Sequence, residues 1–167
     1  MIIRAALPSD AEGIARVHVD TWRTTYAGLI PDDFLDQLSI ERRKQMWEDA
    51  LRDSREGRYL FVANEEKEVL GFVSAGPARE GPLGSGGEIY AIYLLEDHQG
   101  KGLGRQLFEL AKAALKEAGN RSMFLWVLAE NPACGFYGKM GGVLIADRFV
   151  EIGGKMLKEL AYGWSEI

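Results

Sequence analysis

The sequence predicts an α+β fold, a mixed and mostly antiparallel sheet with flanking helices. Three observations carry this. Residues 88–128 read as strand, glycine turn, helix and strand, a unit whose two strands run parallel with a right-handed crossover. Hairpin signals lie on either side of it, at residues 58–75 and around Gly153-Gly154. Most of the first 50 residues show helical spacing and precede the main sheet.

Residues 2–6 form a first strand. Ser9-Asp-Ala-Glu12 has the spacing of a capping box, with Ser9 and Glu12 serving orphan N–H groups. Ile14, Val17, His18, Thr21 and Trp22 then recur at helical spacing until Gly28 breaks the helix. Pro31 suits the first position of a second helix carrying Phe34, Leu35 and Leu38. Ser39 caps a third, which presents Trp47 and Leu51. Residues 58–63 and 69–75 are β-rich runs separated by 64–68. The next segment, 76–87, has two prolines and five glycines and reads as a loop with freedom to move.

Residues 88–95 form the central strand, apolar on both faces. The best helix covers 102–118, with Leu103, Leu107, Leu110, Ala111 and Ala114 on one stripe and Gly119 as a left-handed cap. Another strand follows at 122–128. Asn131 caps, and Pro132 starts, a short helix carrying Phe136, Tyr137 and Met140. Gly141-Gly142 ends it, and strands at 143–150 and 155–164 close the chain.

At 167 residues the chain is expected to be one domain, long enough to bury a core without staples. Its 47% hydrophobic and 27% charged content is ordinary for a globular protein. A single cysteine, Cys134, forbids an internal disulfide, offers no zinc cluster and suits a reducing cytoplasm. No basic-then-apolar leader opens the sequence, and no apolar run has the length of a membrane span. A net charge of −5 argues against general nucleic-acid binding and favours cationic substrates.

Gln99-Gly-Lys-Gly-Leu-Gly-Arg105 is the most informative stretch. Its glycines leave backbone bare where a helix begins. Unpartnered N–H groups and the helix dipole make such a turn fit for a phosphate or pyrophosphate. Lys101 and Arg105 add positive charge. A Walker A loop is excluded, because no Gly-Lys pair is followed by Ser or Thr. A dinucleotide fingerprint is excluded as well: the sixth position from Gly100 is Arg105, and the following strand carries no acid. What fits is Q-x-x-G-x-G, met by Gln99, Gly102 and Gly104.

That turn resembles the acetyl-CoA pyrophosphate loop of the GNAT superfamily of N-acetyltransferases. A second segment, Leu125-Trp-Val-Leu-Ala-Glu-Asn-Pro-Ala-Cys-Gly-Phe-Tyr-Gly-Lys-Met-Gly-Gly142, resembles another hallmark of that superfamily. The opening strand and helix, and the element order, are similar too. Glu96 departs from a frequent proline, and Gly142 from a frequent aromatic.

The resemblance implies the GNAT fold over residues 1–167, a splayed parallel strand pair, and acetyl-CoA as co-substrate with no metal. The cofactor would be held by Gln99, Gly100, Lys101, Gly102, Gly104, Arg105 and Asn131, and by the backbone of Ile92 and Leu94. It implies Glu88, eleven positions before Gln99, as general base, the Ile92 N–H as oxyanion donor and Tyr137 as acid. The blander reading of Glu88 is an exposed strand end, and that of Tyr137 a core aromatic. For Asn131 a plain helix cap is compatible with a cofactor contact. His18 reads as a packed or solvated helix residue, His98 as either a phosphate neighbour or a solvent-exposed side chain, and Cys134 as an inert small one.

The segment Trp22-Arg-Thr-Thr-Tyr-Ala-Gly-Leu-Ile-Pro31 resembles a phrase of small-molecule acetyltransferases, which points to a small primary amine as acceptor. Trp22 and Tyr26 would line its pocket, with Asp32, Asp33 and Asp36 attracting it; the blander reading of Trp22 is a core residue continuing the apolar stripe of Ile14 and His18. Neither nucleic acid nor membrane is expected as partner, and association as a homodimer is left open. The alternative is a non-catalytic CoA-binding regulatory module of the same fold; a ligand-free structural domain would make the glycine turn accidental.

Overall fold

The structure, a computed structural model, describes residues 1–53, 57–82 and 86–167. Seven strands form one sheet in the order β1-β2-β3-β4-β5-β7-β6. They are β1 (Ile2–Ala5), β2 (Tyr59–Glu65), β3 (Glu68–Pro77), β4 (Gly87–Leu94), β5 (Met123–Leu128), β6 (Val143–Ile152) and β7 (Lys155–Trp164). The helices are α1 (Ala11–Thr25), α2 (Asp32–Asp36), α3 (Ile40–Arg52), α4 (Leu103–Glu117) and α5 (Ala133–Lys139). Every neighbouring strand pair is antiparallel except β4 with β5, the parallel pair expected from the crossover.

Both faces of the sheet are covered because its strands alternate apolar residues to opposite sides. On one face Leu103, Leu107, Phe108, Ala111 and Leu115 of α4 pack with Val73, Ala75, Met123 and Leu125. On the other, Ile14 and Val17 of α1 and Trp47 of α3 pack with Val62 and Phe72. A smaller cluster joins the corner between α1 and α2 to the last strands, through Tyr26, Ile30, Leu35, Leu128 and Leu157.

Local chemistry sets most of the boundaries. Ser39 caps α3 by accepting the Arg42 N–H at 3.3 Å. Gly153 and Gly154 both have positive φ, 61° and 80°, as a tight two-residue hairpin demands, and they join Ile152 to its partner Lys155. Gly119 ends α4 at φ 90°. The hairpin between β2 and β3 is tighter than expected, since pairing continues to Glu65↔Glu68. Of the segment 76–87, positions 76, 77 and 87 belong to strands, and residues 83–85 lie outside the described residues.

The capping box at Ser9 and Glu12 does not form. Arg4, arriving on β1, holds the Asp10 carboxylate at 2.7 and 2.9 Å, and Asp10 accepts the Leu7 N–H at 2.7 Å. Residues Pro8–Asp10 therefore make a single 3-10 turn, and α1 starts at Ala11. Glu12 is turned outward to Lys44 at 3.0 Å. The Arg4 guanidinium holds the Asp10 carboxyl below the usual carboxylate range despite its burial.

Candidate active site

The cleft follows from how little β4 and β5 pair. Their contact is limited to Gly87↔Met123 and Glu88↔Phe124, whereas β5 pairs with β7 over its whole length. Beyond Glu88 the two strands splay, and a cavity of about 810 Å³ opens between them.

The backbone of β4 is turned to suit this opening. Gly87 donates its N–H toward β5, to Ser122 O at 2.9 Å, while Leu95 donates toward β3, to Leu70 O at 3.0 Å. Residues of like parity on a regular strand face the same edge. These two face opposite edges because the ladder slips between Ser74 and Ala75: Ser74 pairs with Ala91 and Ala75 with Ile89, leaving Tyr90 as an extra residue. This is a β-bulge. Past it, alternation counted back from Leu95 turns the N–H and C=O groups of Ile92 and Leu94 away from β3, into the cleft. The Leu94 carbonyl is met there by the Gln99 side-chain amide at 3.0 Å and by the Thr21 hydroxyl at 3.4 Å. Gln99 thereby ties the glycine turn to the end of β4.

That turn is bare for a conformational reason. Gly100 and Gly102 have φ of 70° and 83°, and a Cβ on either would meet nothing within 4 Å. The left-handed backbone, rather than crowding, favours glycine here. Gly102 is the cap of α4, and the first α4 N–H to reach back to a backbone carbonyl is that of Gln106, on Gly102 O at 3.2 Å. The preceding N–H groups face the cleft mouth with the positive end of a 15-residue helix behind them. Gly104 is small for another reason: a Cβ there would come within 3.1 Å of Leu94 Cδ1.

Glu88 is not the exposed strand end of the blander reading. It is 2% exposed, and its carboxylate accepts three hydrogen bonds from Arg79. The Arg79 N–H and Nε reach Oε2 at 3.0 and 3.3 Å, and Nη2 reaches Oε1 at 2.7 Å. A carboxylate offers about four acceptor sites, so one remains, on Oε1. The hydrogen bond to Glu88 raises the Arg79 pKa.

Tyr137 is buried in α5, beside Phe136 at 5.3 Å between ring centres. Burial pushes its phenol well up, and the neighbouring Tyr93, Tyr26 and Cys134 add to the effect. It therefore stays protonated near neutral pH. Tyr26 is 5% exposed, and burial pushes its phenol up as well. Its hydroxyl accepts from Asn131 Nδ2, while Asn131 Oδ1 accepts the Ala133 N–H at 2.8 Å and so caps α5.

His18 is packed, not solvated. Its Nδ1 accepts from Trp47 Nε1 at 3.2 Å and its ring stacks on Tyr93 at 5.3 Å. Burial lowers its pKa to about 3, with Arg43 nearby adding repulsion. His98 does not line the cavity. Burial pushes the Cys134 thiol up, away from reactivity.

One cavity brings together Glu88, Ile92, Leu94, Gln99, Gly100, Gly102, Gly104, Arg105, Asn131, Tyr137, Trp22 and Tyr26. Lys101, exposed on the turn, does not line it. Asp32, Asp33 and Asp36 are exposed and lie off the cavity wall, because α2 spends its inward position on Leu35. Sequence reasoning missed Arg79, Tyr90, Trp126, Arg148 and Glu159, all of which line the cavity. An arginine in a glycine-proline loop, and one on an edge strand, carry no periodic signal.

A family model described as the acetyltransferase (GNAT) family matches residues 18–142. The uncharacterized N-acetyltransferase YuaI of Bacillus subtilis (strain 168) is 42% identical over 166 residues, spanning 99% of this chain and 93% of that protein. Among solved structures, the PaiA N-acetyltransferase of Thermoplasma acidophilum in complex with coenzyme A superposes with a TM-score of 0.75 at 21% identity, over 95% of this chain and 96% of that one. The acetyltransferase YncA of Salmonella typhimurium, with its cofactor acetyl-CoA, gives a TM-score of 0.73 at 22% identity, over 98% of this chain and 92% of that one.

Proposed function

Because the chain belongs to the acetyltransferase (GNAT) family, we propose that this N-acetyltransferase moves the acetyl group of acetyl-CoA onto the primary amine of a small molecule, by direct attack of nitrogen on the thioester. Residues 1–167 act as one N-acetyltransferase domain in this reading. The observation that carries it is the meeting of a bare helix N-terminus, free strand backbone, a buried carboxylate and a buried phenol in one cavity.

The residues present fit acetyl-CoA. Backbone N–H groups of the turn from Gly100 to Arg105 suit its pyrophosphate, where the positive φ of Gly100 and Gly102 keeps side chains away. Ile92 and Leu94 offer cleft-facing backbone to the extended arm, as an added strand would use it. The relatives in complex with coenzyme A and acetyl-CoA share this fold.

Proton traffic falls to two side chains. An amine is mostly an ammonium at neutral pH, with pKa near ~10. Glu88 has one acceptor site left on Oε1 and takes a proton there, directly or through a water. Nitrogen then forms its bond to the carbonyl carbon while the Ile92 N–H faces the developing oxyanion. As the C–S bond breaks, sulfur leaves as thiolate and takes a proton from Tyr137. The extra proton on the attacking nitrogen returns Tyr137 to its phenol as the amide forms, and Glu88 releases its proton to solvent, so the products are an amide, a free thiol and one proton. Donation from a phenol to a thiolate is uphill in water. Burial raises the Tyr137 phenol further, so this step requires a site that disfavours the bare thiolate more strongly than the phenolate.

Arg79 keeps the Glu88 carboxylate oriented, and Asn131 and Tyr26 brace the start of α5. All these groups come from one chain, so assembly as a homodimer is a separate property. No described helix is long and apolar enough to cross a membrane, and no cluster of metal-ligating side chains occurs among the described residues. The free thiol of Cys134 suits a reducing cytoplasm.

The test is a free-thiol release assay with acetyl-CoA and an amine panel, run beside calorimetric binding of CoA. CoA binding together with amine-dependent thiol release is expected. CoA binding with no release against any amine would favour the non-catalytic module, and no CoA binding would overturn the reading altogether.

A further inference from the structure

The acceptor half of the cavity is balanced in charge. The charged side chains lining the cavity, among the described residues, are Arg79, Glu88, Glu96, Arg105, Arg148 and Glu159. Glu96 and Arg105 flank the glycine turn. The remaining four form two pairs, Arg79 with Glu88 and Arg148 with Glu159. Each arginine also stacks on an aromatic ring, Arg79 over Tyr90 at 4.4 Å and Arg148 over Trp126 at 4.0 Å. A polycation finds no surplus of negative charge here.

The two pairs differ in what they leave unused. Arg79 spends its N–H, Nε and Nη2 on Glu88, which leaves one acceptor site on Glu88 Oε1. That end lacks a donor. Arg148 spends only Nε, on Glu159 Oε2 at 2.8 Å. Its Nη1 and Nη2 have no protein partner among the described residues. Below it, the Trp126 Nε1–H is buried and also lacks an acceptor. That wall lacks an acceptor. The stacking and the bond to Glu159 fix the guanidinium plane, so its free edge is a preformed fork for a carboxylate.

Resting on the acetyl-transfer reading above, we propose that the acceptor is an amine carrying its own carboxylate, an amino acid in the broad sense. Its ammonium meets Glu88, and its carboxylate meets the free edge of Arg148. A zwitterion of this kind gives each unmet group a partner of opposite sign. A plain monoamine satisfies Glu88 and leaves the Arg148 fork empty. A carboxamide offers that fork one neutral oxygen.

The experiment measures kcat and KM with acetyl-CoA for the common amino acids, their carboxamides and their decarboxylated amines, with spermidine as a polycation. Amino acids are expected to be the best acceptors, with kcat/KM above the matched amides and amines by about tenfold or more, the usual scale of a lost charge-assisted bond. Arg148→Gln should erase that ratio, by raising KM for the acid far more than KM for the matched amide. The ratio is internal to each protein, so a loss of stability in the variant does not mimic the result. Lys158→Gln lies on the same hairpin, off this cavity, and should leave the ratio unchanged. Amides or plain amines turned over as well as acids, or a ratio untouched by Arg148→Gln, would overturn the zwitterion proposal and leave acetyl transfer standing. Bound CoA with no turnover of any panel member would overturn both.

Discussion

The hydroxyl of Tyr26 accepts a hydrogen bond from Nδ2 of Asn131 at 3.1 Å, joining the end of α1 to the turn that starts α5. Two segments 105 residues apart thus share one wall of the cleft. Asn131 is held at both ends of its amide, by Tyr26 and by the Ala133 N–H.

Tyr26→Phe should therefore loosen α5 without emptying the corner. A loss of about 1 kcal/mol of stability is expected, the usual worth of one such bond. Since Tyr26 and Asn131 both line the cavity, KM for the acceptor should rise. Tyr26→Ala would remove a buried ring, cost about 3–5 kcal/mol and confound the reading. Urea unfolding with steady-state kinetics on the Phe variant checks this. An unchanged acceptor KM would remove the corner from the acceptor site.

Gly102→Glu should abolish CoA binding and keep the fold. The space around it is open, so the cost is a strained left-handed residue, about 1–2 kcal/mol. The carboxylate would then stand where a pyrophosphate is expected. Gly102→Ala carries the same strain without the charge and should weaken binding far less. Calorimetry on both variants separates strain from repulsion, and normal affinity in the Glu variant would reject the pyrophosphate assignment.

Glu88→Gln and Tyr137→Phe should lower kcat by about 10²–10⁴-fold with a near-normal Kd for acetyl-CoA. Glu88→Gln should also flatten the rise of rate with pH. Pre-steady-state measurements, showing chemistry to be the slow step, are needed beside them. Wild-type rates in both would return these two side chains to purely structural duty.

His18 should make stability fall with acidification before the carboxylates do. Its folded pKa is lowered from 6.5 to about 3, so below pH ~6.5 the unfolded chain binds a proton that the folded one refuses. Stability is intact above that window and lost as pH drops through it, by up to about 1.4 kcal/mol per unit. Thermal unfolding at pH 7 and pH 5 should differ in the wild type and differ less in His18→Gln. Equal slopes would show that His18 does not control the effect.

Much of the fold was legible because its signals are local. Gly153-Gly154, Ser39 and Gly119 specify a hairpin, a cap and a helix end through their own backbone needs. The candidate site was legible where it is backbone chemistry, in the turn from Gln99 to Arg105. Its charged partners were not. Arg79 and Arg148 acquire meaning only from strands that arrive later in the chain or from another part of the sheet. The box at Ser9 failed for the same reason, since Arg4 recruits Asp10 from a neighbouring element. The acids at positions 32, 33 and 36 looked functional by proximity in sequence, but a single turn of α2 holds them outside.

The surplus residue in β4 works as a phase shift. Up to Tyr90 the strand spends its odd-numbered amides on β5, and afterwards it spends its even-numbered ones on the opening. A strand of the same length without the bulge would keep a single phase throughout. Ile92 and Leu94 would then aim their amides at β3, with the sheet better zipped and the docking edge gone. The docking edge thus depends on the surplus residue being bulged out of the β3 ladder.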